Sequence, residues 1–246
     1  MFKRIILMIQ FLTQIPIAIN LDVNEEDFGK GLAFGPLIGL LIGGFIALIY
    51  RVSSMAAHGL FPAAVVMVCY AMMTGGLHID GLGDTFDGLF SNRSKERMLE
   101  IMRDSRVGTN AVIAIVSIFL LNTVCIAELG KDVIVKVLLI MPVMGRLGSV
   151  CSAGMSKYAR SGEGLGKAFI DYCGINQIVI GTLISGIIAF LLFNLTGLIF
   201  IGSTIIFTYL FVQFVTSKIG GMTGDTCGAA CELNQTIFLT LALILF

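Results

Sequence analysis

Asp80, Asp84 and Asp87 recur at i, i+4 and i+7 in the segment GGLHIDGLGDTFDG, so on a helix their side chains point within about 60° of one another. Three like charges at that spacing repel, which a fold tolerates best when a divalent cation lies between them. Oxygen-only donors favour Mg²⁺ or Mn²⁺, and Mg²⁺ held by a few carboxylates completes its shell with water and phosphate oxygens. The spacing therefore predicts a metal-assisted phosphate site with Asp80, Asp84 and Asp87 as metal ligands. The competing reading is a solvated helix laced by ion pairs. Arg93, Lys95, Arg97, Arg103 and Arg106 follow within the same Thr74 to Thr109 stretch, which holds six acids and five bases.

The elements that must position this site are membrane helices. The chain is 57% hydrophobic with 29 glycines among 246 residues, and its mean hydropathy is +0.95, far above an ordinary soluble domain. The length suits a single embedded domain over residues 1–246. Zero net charge gives no sign of a nucleic-acid partner. Judged against the roughly 20 residues needed to cross the hydrocarbon core, apolar segments run from Leu32 to Tyr50, Leu60 to Leu77, Asn110 to Ala127, Val133 to Val150, Ile178 to Phe193 and Leu195 to Val215. A last piece has only Thr236 to Phe246 as a continuous apolar run, so it spans only if its helix begins within Cys227 to Gln235. The expectation is an all-α polytopic bundle of six to seven transmembrane helices. Met1 to Ile19 carries Lys3, Arg4, Gln10, Gln14 and Pro16, and no small-residue cleavage site follows before Asp22. It reads as a retained interfacial or re-entrant helix rather than a signal peptide.

Orientation follows from the loop bases. Lys3, Arg4, Lys30, the five bases from Arg93 to Arg106, Lys157, Arg160, Lys167 and Lys218 fall on one side, against Arg51 and Lys131 on the other. That bias predicts a cytoplasmic aspartate loop. It puts the loops Ser156 to Ile175 and Lys218 to Gln235 on the same face, so that three polar, glycine-rich loops can build one site.

The second and third loops add candidates. IGGMTGDTCGAACEL carries Asp225 at the mouth of an apolar helix and Glu232 seven residues on, and acids at a membrane boundary are costly without a purpose. Its glycines also suit tight helix packing. SKYARSGEGLGKAF offers Arg160 and Lys167 as phosphate-binding cations, although a positive-inside loop needs bases anyway. Arg146, inside IMPVMGRLGSV, costs at least about 2.5 kcal/mol unless paired, and is expected to face the carboxylates or a bound phosphate. His78 is a candidate substrate contact, although two residues from Asp80 it points to the opposite face. Cys69, Cys125, Cys151 and Cys173 are scattered, and Cys227 with Cys231 lacks the partner pair of a zinc site, so the cysteines read as packing residues.

GGLHIDGLGDTFDG followed by RMLEIMRDSRVGT closely resembles the signature of the cobalamin synthase family, the adenosylcobinamide-GDP ribazoletransferases of bacterial B12 assembly. FLTQIPI, KYARSGEGLGKAF and GGMTGDTCGAACEL are similar to that family's opening, central and C-terminal motifs, in the same order. Gly83, where the family more often has Ala, and Lys157, where it tends to have Pro, depart from the pattern without touching a proposed ligand.

The resemblance implies an enzyme of the bacterial inner membrane that joins adenosylcobinamide-GDP to α-ribazole or its 5′-phosphate at the cytoplasmic face and releases GMP, with Mg²⁺ as cofactor. In that reading Asp80, Asp84 and Asp87 hold one or two Mg²⁺ ions, and Asp104 and Asp225 are the further ligand and general base, in either order. Arg103, Arg106, Arg146 and Arg160 stabilise phosphate charge, with His78, Lys167 and Glu232 as further substrate contacts. A homo-oligomer and association with other late cobalamin-assembly enzymes are compatible partners beside the lipid bilayer. Two other readings use the same features. One is a membrane phosphotransferase of the CDP-alcohol type, whose aspartate pattern is only partly reproduced. The other is a cation-coupled transporter, which should show inverted repeats and mid-membrane acids.

Overall fold

The computed structural model describes residues 1–162 and 164–246, which form helices without a strand among the described residues. In chain order they are α1 (Phe2–Leu12), α2 (Glu25–Gly31), a 3₁₀ turn (Leu32–Phe34), α3 (Gly35–Ser53), α4 (Leu60–Thr74), α5 (Leu77–Leu89) and α6 (Lys95–Ile101). There follow α7 (Thr109–Glu128), α8 (Ile134–Gly154), α9 (Leu165–Asp171), α10 (Ile175–Phe193), α11 (Thr196–Ile219) and α12 (Gly224–Leu245).

Six helical stretches among the described residues are long and apolar enough to cross a membrane, and they include α12. The polytopic bundle expected from hydropathy is therefore observed. α8 is its centre: every residue from Ile140 to Ala153 is buried, against α3, α12, α10 and α11. The peripheral helices turn large apolar side chains outward, among them Leu120 and Leu121 on α7 and Leu183, Ile187 and Leu191 on α10. Such a continuous apolar exterior is stable against lipid and not against water.

Two differences from the hydropathy reading shape the site. The Leu60 to Leu77 segment is not one rod. Gly75 and Gly76 both take left-handed φ, +63° and +70°, a conformation that costs glycine nothing. The two helices they join meet at 92°. The 15 residues of α4 reach only about 22 Å at 1.5 Å per residue, short of the roughly 30 Å hydrocarbon core, and α5 with its aspartates leaves the α4 axis at that break. The last helix begins at Gly224, upstream of its apolar run, because the Thr223 side chain accepts from Thr226 N–H and closes a capping box. α12 thereby reaches full span, with Asp225 in its first turn.

The N-terminal helix α1 has 11 residues, too few to cross. It buries Leu7, Met8 and Leu12 and is pinned at its start by Lys3 and Arg4, both of which bind the Asp27 carboxylate on α2. Those two bases thus serve an internal contact as well as the loop charge bias.

Candidate active site

The three polar loops meet at one end of the bundle. Lys157 and Ala159 pair with Met222 by backbone hydrogen bonds of 2.9 and 2.8 Å. One residue on, Arg160 Nη2 donates to Asp225 Oδ2 at 2.7 Å. α5 packs on α12 through Gly81, where a Cβ would lie 2.8 Å from the Asp225 carbonyl oxygen, so glycine is what allows the aspartate helix to reach the start of α12. Asp80 is exposed and Asp84 half-buried on that helix, and Asp84 lies in the field of Asp80, Asp225, Arg160 and Asp87. The outer layer of the site is therefore Asp80, Asp84 and Asp225 with the part-buried Arg160.

Asp87 shares the helical face but makes its own contact. Its two oxygens accept from the backbone N–H groups of Gly108 and Ala111 at 2.6 and 2.9 Å, which caps the N-terminus of α7 and meets the positive end of its dipole. Asp87→Ala is expected to lower stability by about 1 kcal/mol, the usual cost of a lost N-terminal cap. Asp87→Asn, which keeps one acceptor, should cost less. A thermal unfolding series on the purified protein checks the order.

Beside the carboxylates, between α1, the 3₁₀ turn, α5, α8, α9 and α12, is a partly open cavity of about 160 Å³. Asp80 and Asp225 line it together with Phe11, Leu32, Phe169 and Ile170. A wider groove of about 530 Å³, bordered by Gln14, Thr74, Gly75 and Ile79, adjoins it, and Phe11, Leu77 and Asp80 belong to both. A third cleft holds Arg103 and Arg160 side by side with Glu96 and Glu100.

A second, deeper polar layer is wholly buried. Tyr70 is its hub: its hydroxyl donates to Glu232 Oε1 at 2.6 Å and accepts from Arg146 Nη1 at 3.2 Å and Gln235 Nε2 at 2.8 Å. Glu232 is two helical turns below Asp225, about 10 Å along α12. His78 joins this layer, its side-chain donor within 4.8 Å of those of Cys231 and Glu232. The Arg146 guanidinium beside them offsets the Glu232 charge through the shared Tyr70 hydroxyl, while His78 Nδ1, Glu232 Oε2, Gln235 Oε1 and the Arg146 Nε and Nη2 have no hydrogen-bond partner among the described residues, so the layer is only partly paired.

Three expectations from the sequence are revised by these positions. Arg146 does not face the aspartates: it makes no ion pair with Asp80, Asp84 or Asp87 among the described residues, because α8 carries it into the bundle centre against Tyr70. Lys167 projects from the face of α9 opposite the cavity, toward Glu25 and Asp171. Asp104 and Arg106 pair with each other in an exposed loop, with Arg106 Nη2 to Asp104 Oδ2 at 2.5 Å. The Arg106 hydrogen bonds hold the Asp104 carboxyl down at about 2, which makes it a poor proton acceptor. Tyr70, Gln235, Phe11 and Phe169 are absent from the residues that the sequence singles out. A tyrosine and a glutamine within apolar helices are the signal that points to the first two.

The chain matches the family model described as cobalamin-5-phosphate synthase over residues 4–243. It is 50% identical over 243 residues to the adenosylcobinamide-GDP ribazoletransferase of Acetivibrio thermocellus, covering 97% of this chain and 96% of that one. It is 52% identical over 239 residues to the protein of the same name from Clostridium acetobutylicum, with 97% and 94% covered. A third relative of that name, from Caldanaerobacter subterraneus, is 42% identical over 96% of this chain and 95% of its own length. No solved structure matches.

Proposed function

This chain belongs to the cobalamin-5-phosphate synthase family, and on that premise we propose that it is an adenosylcobinamide-GDP ribazoletransferase working at the cytoplasmic face of the bacterial inner membrane. The ribazole 3′-hydroxyl oxygen bonds to the phosphorus nearest the corrinoid, the bond from that phosphorus to the bridging oxygen breaks, and GMP leaves with the electron pair. The observation that carries this reading is that Asp80 and Asp225 line one cavity while Arg160 pairs with Asp225 and Asp84 lies in the field of all three, so that groups from three separate loops converge.

The groups divide the chemistry among them. Asp225 presents its carboxylate to the cavity with one oxygen held by Arg160, so its geometry is fixed and it is placed to take the hydroxyl proton. Arg160 and Arg103, which line one cleft, bind the phosphates through forked donors. Asp80 and Asp84 supply adjacent oxygen donors whose mutual repulsion suits a Mg²⁺ ion, which would neutralise the diphosphate when bound. Asp87 fixes α5 against α7, and the Tyr70 layer holds α4, α8 and α12 in register beneath the site.

The test uses sealed vesicles carrying the protein, adenosylcobinamide-GDP, α-ribazole and Mg²⁺. GMP and a corrinoid nucleotide should form together in inside-out vesicles and not in right-side-out ones, and excess EDTA should stop the reaction. Release of GMP with no new corrinoid product, or turnover from the outer face, would contradict the assignment.

A further inference from the structure

Two spaces of different size meet at Asp80. The narrower cavity of about 160 Å³ is walled by Phe11, Leu12, Leu32, Phe169 and Ile170, and the groove of about 530 Å³ is wider and more polar at its rim, with Gln14 and Thr74. The two proposed reactants differ in the same way. One is a corrin macrocycle with many amide arms and a nucleoside diphosphate, and the other a bicyclic aromatic base on a ribose. The smaller reactant matches the narrower space.

We infer that the narrower cavity is the acceptor subsite, which takes the benzimidazole ring of α-ribazole against the Phe11 and Phe169 pair of α1 and α9 and leaves its ribose at Asp80 and Asp225. The inference rests on the transferase reading. The wall chemistry supports it independently. Phe11 and Phe169 lie 4.7 Å apart by ring centroid, and Phe28 packs edge-on behind Phe169 at 5.5 Å. This is a rigid aromatic cluster of the kind that receives a flat π-system by offset or edge contacts. An apolar cavity with a few polar groups at its mouth orients a ligand by its polar end, and here the polar end is the carboxylate pair where the acceptor hydroxyl must react. Phe11 reaches the wall because Lys3 and Arg4 fasten α1 to Asp27, and the short N-terminal helix thereby closes the acceptor subsite from one side. The wider groove is left for the corrinoid end of the donor, and Asp80, one of three residues common to both spaces, marks where they meet.

The experiment is equilibrium binding of α-ribazole, followed by its own fluorescence, to the full chain in lipid nanodiscs, with steady-state KM values measured beside it. Phe169→Ala should weaken α-ribazole binding and raise its KM by roughly tenfold to a hundredfold, the range for loss of one aromatic stacking partner, while the KM for adenosylcobinamide-GDP stays within about twofold. Leu165→Ala, at a rim position 45% exposed and so harmless to folding, should give a smaller change in the same direction. Free benzimidazole should compete with α-ribazole and not with the donor. Unchanged α-ribazole binding in both variants, or a raised donor KM instead, overturns the subsite. α-Ribazole binding that obeys these expectations in a protein that forms no corrinoid product would keep the subsite and sink the transferase reading.

Discussion

Asp84→Asn should lower turnover by about a hundred- to a thousandfold, the scale on which a single charge-stabilising group at a transferring centre acts, with the protein inserted and folded as before. The substitution keeps the shape and removes one negative charge from a cluster that also holds Asp80 and Asp225. Because those charges repel, the variant should unfold at the same temperature as the parent or a higher one, the signature of a site that gives up stability for activity. An exposed ion-pair helix predicts something quite different, since such pairs contribute about 0 to 1 kcal/mol and their loss leaves catalysis intact. Near-normal turnover at saturating Mg²⁺ would remove Asp84 from the reaction centre.

Arg146→Met should be the most destabilising single change in the polar core. The guanidinium is 1% exposed and shares the Tyr70 hydroxyl with Glu232; without it the Glu232 carboxylate is left buried and uncompensated, a loss of about 3 to 5 kcal/mol. The double variant Arg146→Met with Glu232→Gln should recover much of that, because both charges then disappear together. Thermal unfolding of the four proteins in one lipid composition measures the cycle. A single variant of unchanged stability with an impaired donor KM would return Arg146 to the phosphates.

The bundle and the three-loop convergence are legible in the sequence because both depend on local quantities. Runs of apolar residues mark spans, and the alternation of loops places Asp80, Arg160 and Asp225 at one end. Hydropathy averages cannot register backbone dihedrals, so Gly75 and Gly76 are invisible inside an apolar window although they turn α5 by 92°. A helical wheel gives the direction of Asp87 from its own axis and nothing about the α7 terminus that arrives to meet it. The Tyr70 hub joins residues 76 to 165 positions apart, and no spacing rule reaches across such separations. Lys167 is misplaced by the sequence for a related reason: a glycine-rich loop gives no hint of the seven-residue α9, whose one turned face takes Leu165 and Phe169 to the cavity and Lys167 away from it.

If Asp80 and Asp84 form a cation site at which the diphosphate is activated, Mn²⁺ binding should register it without reference to turnover. In nanodiscs, the electron paramagnetic resonance signal of free Mn²⁺ should fall as the parent protein is titrated in the presence of adenosylcobinamide-GDP. The bound fraction should be displaced by Mg²⁺ and be lost in Asp84→Asn, while Asp104→Asn retains it. Equal Mn²⁺ uptake by the parent and by Asp84→Asn would rule the cation site out.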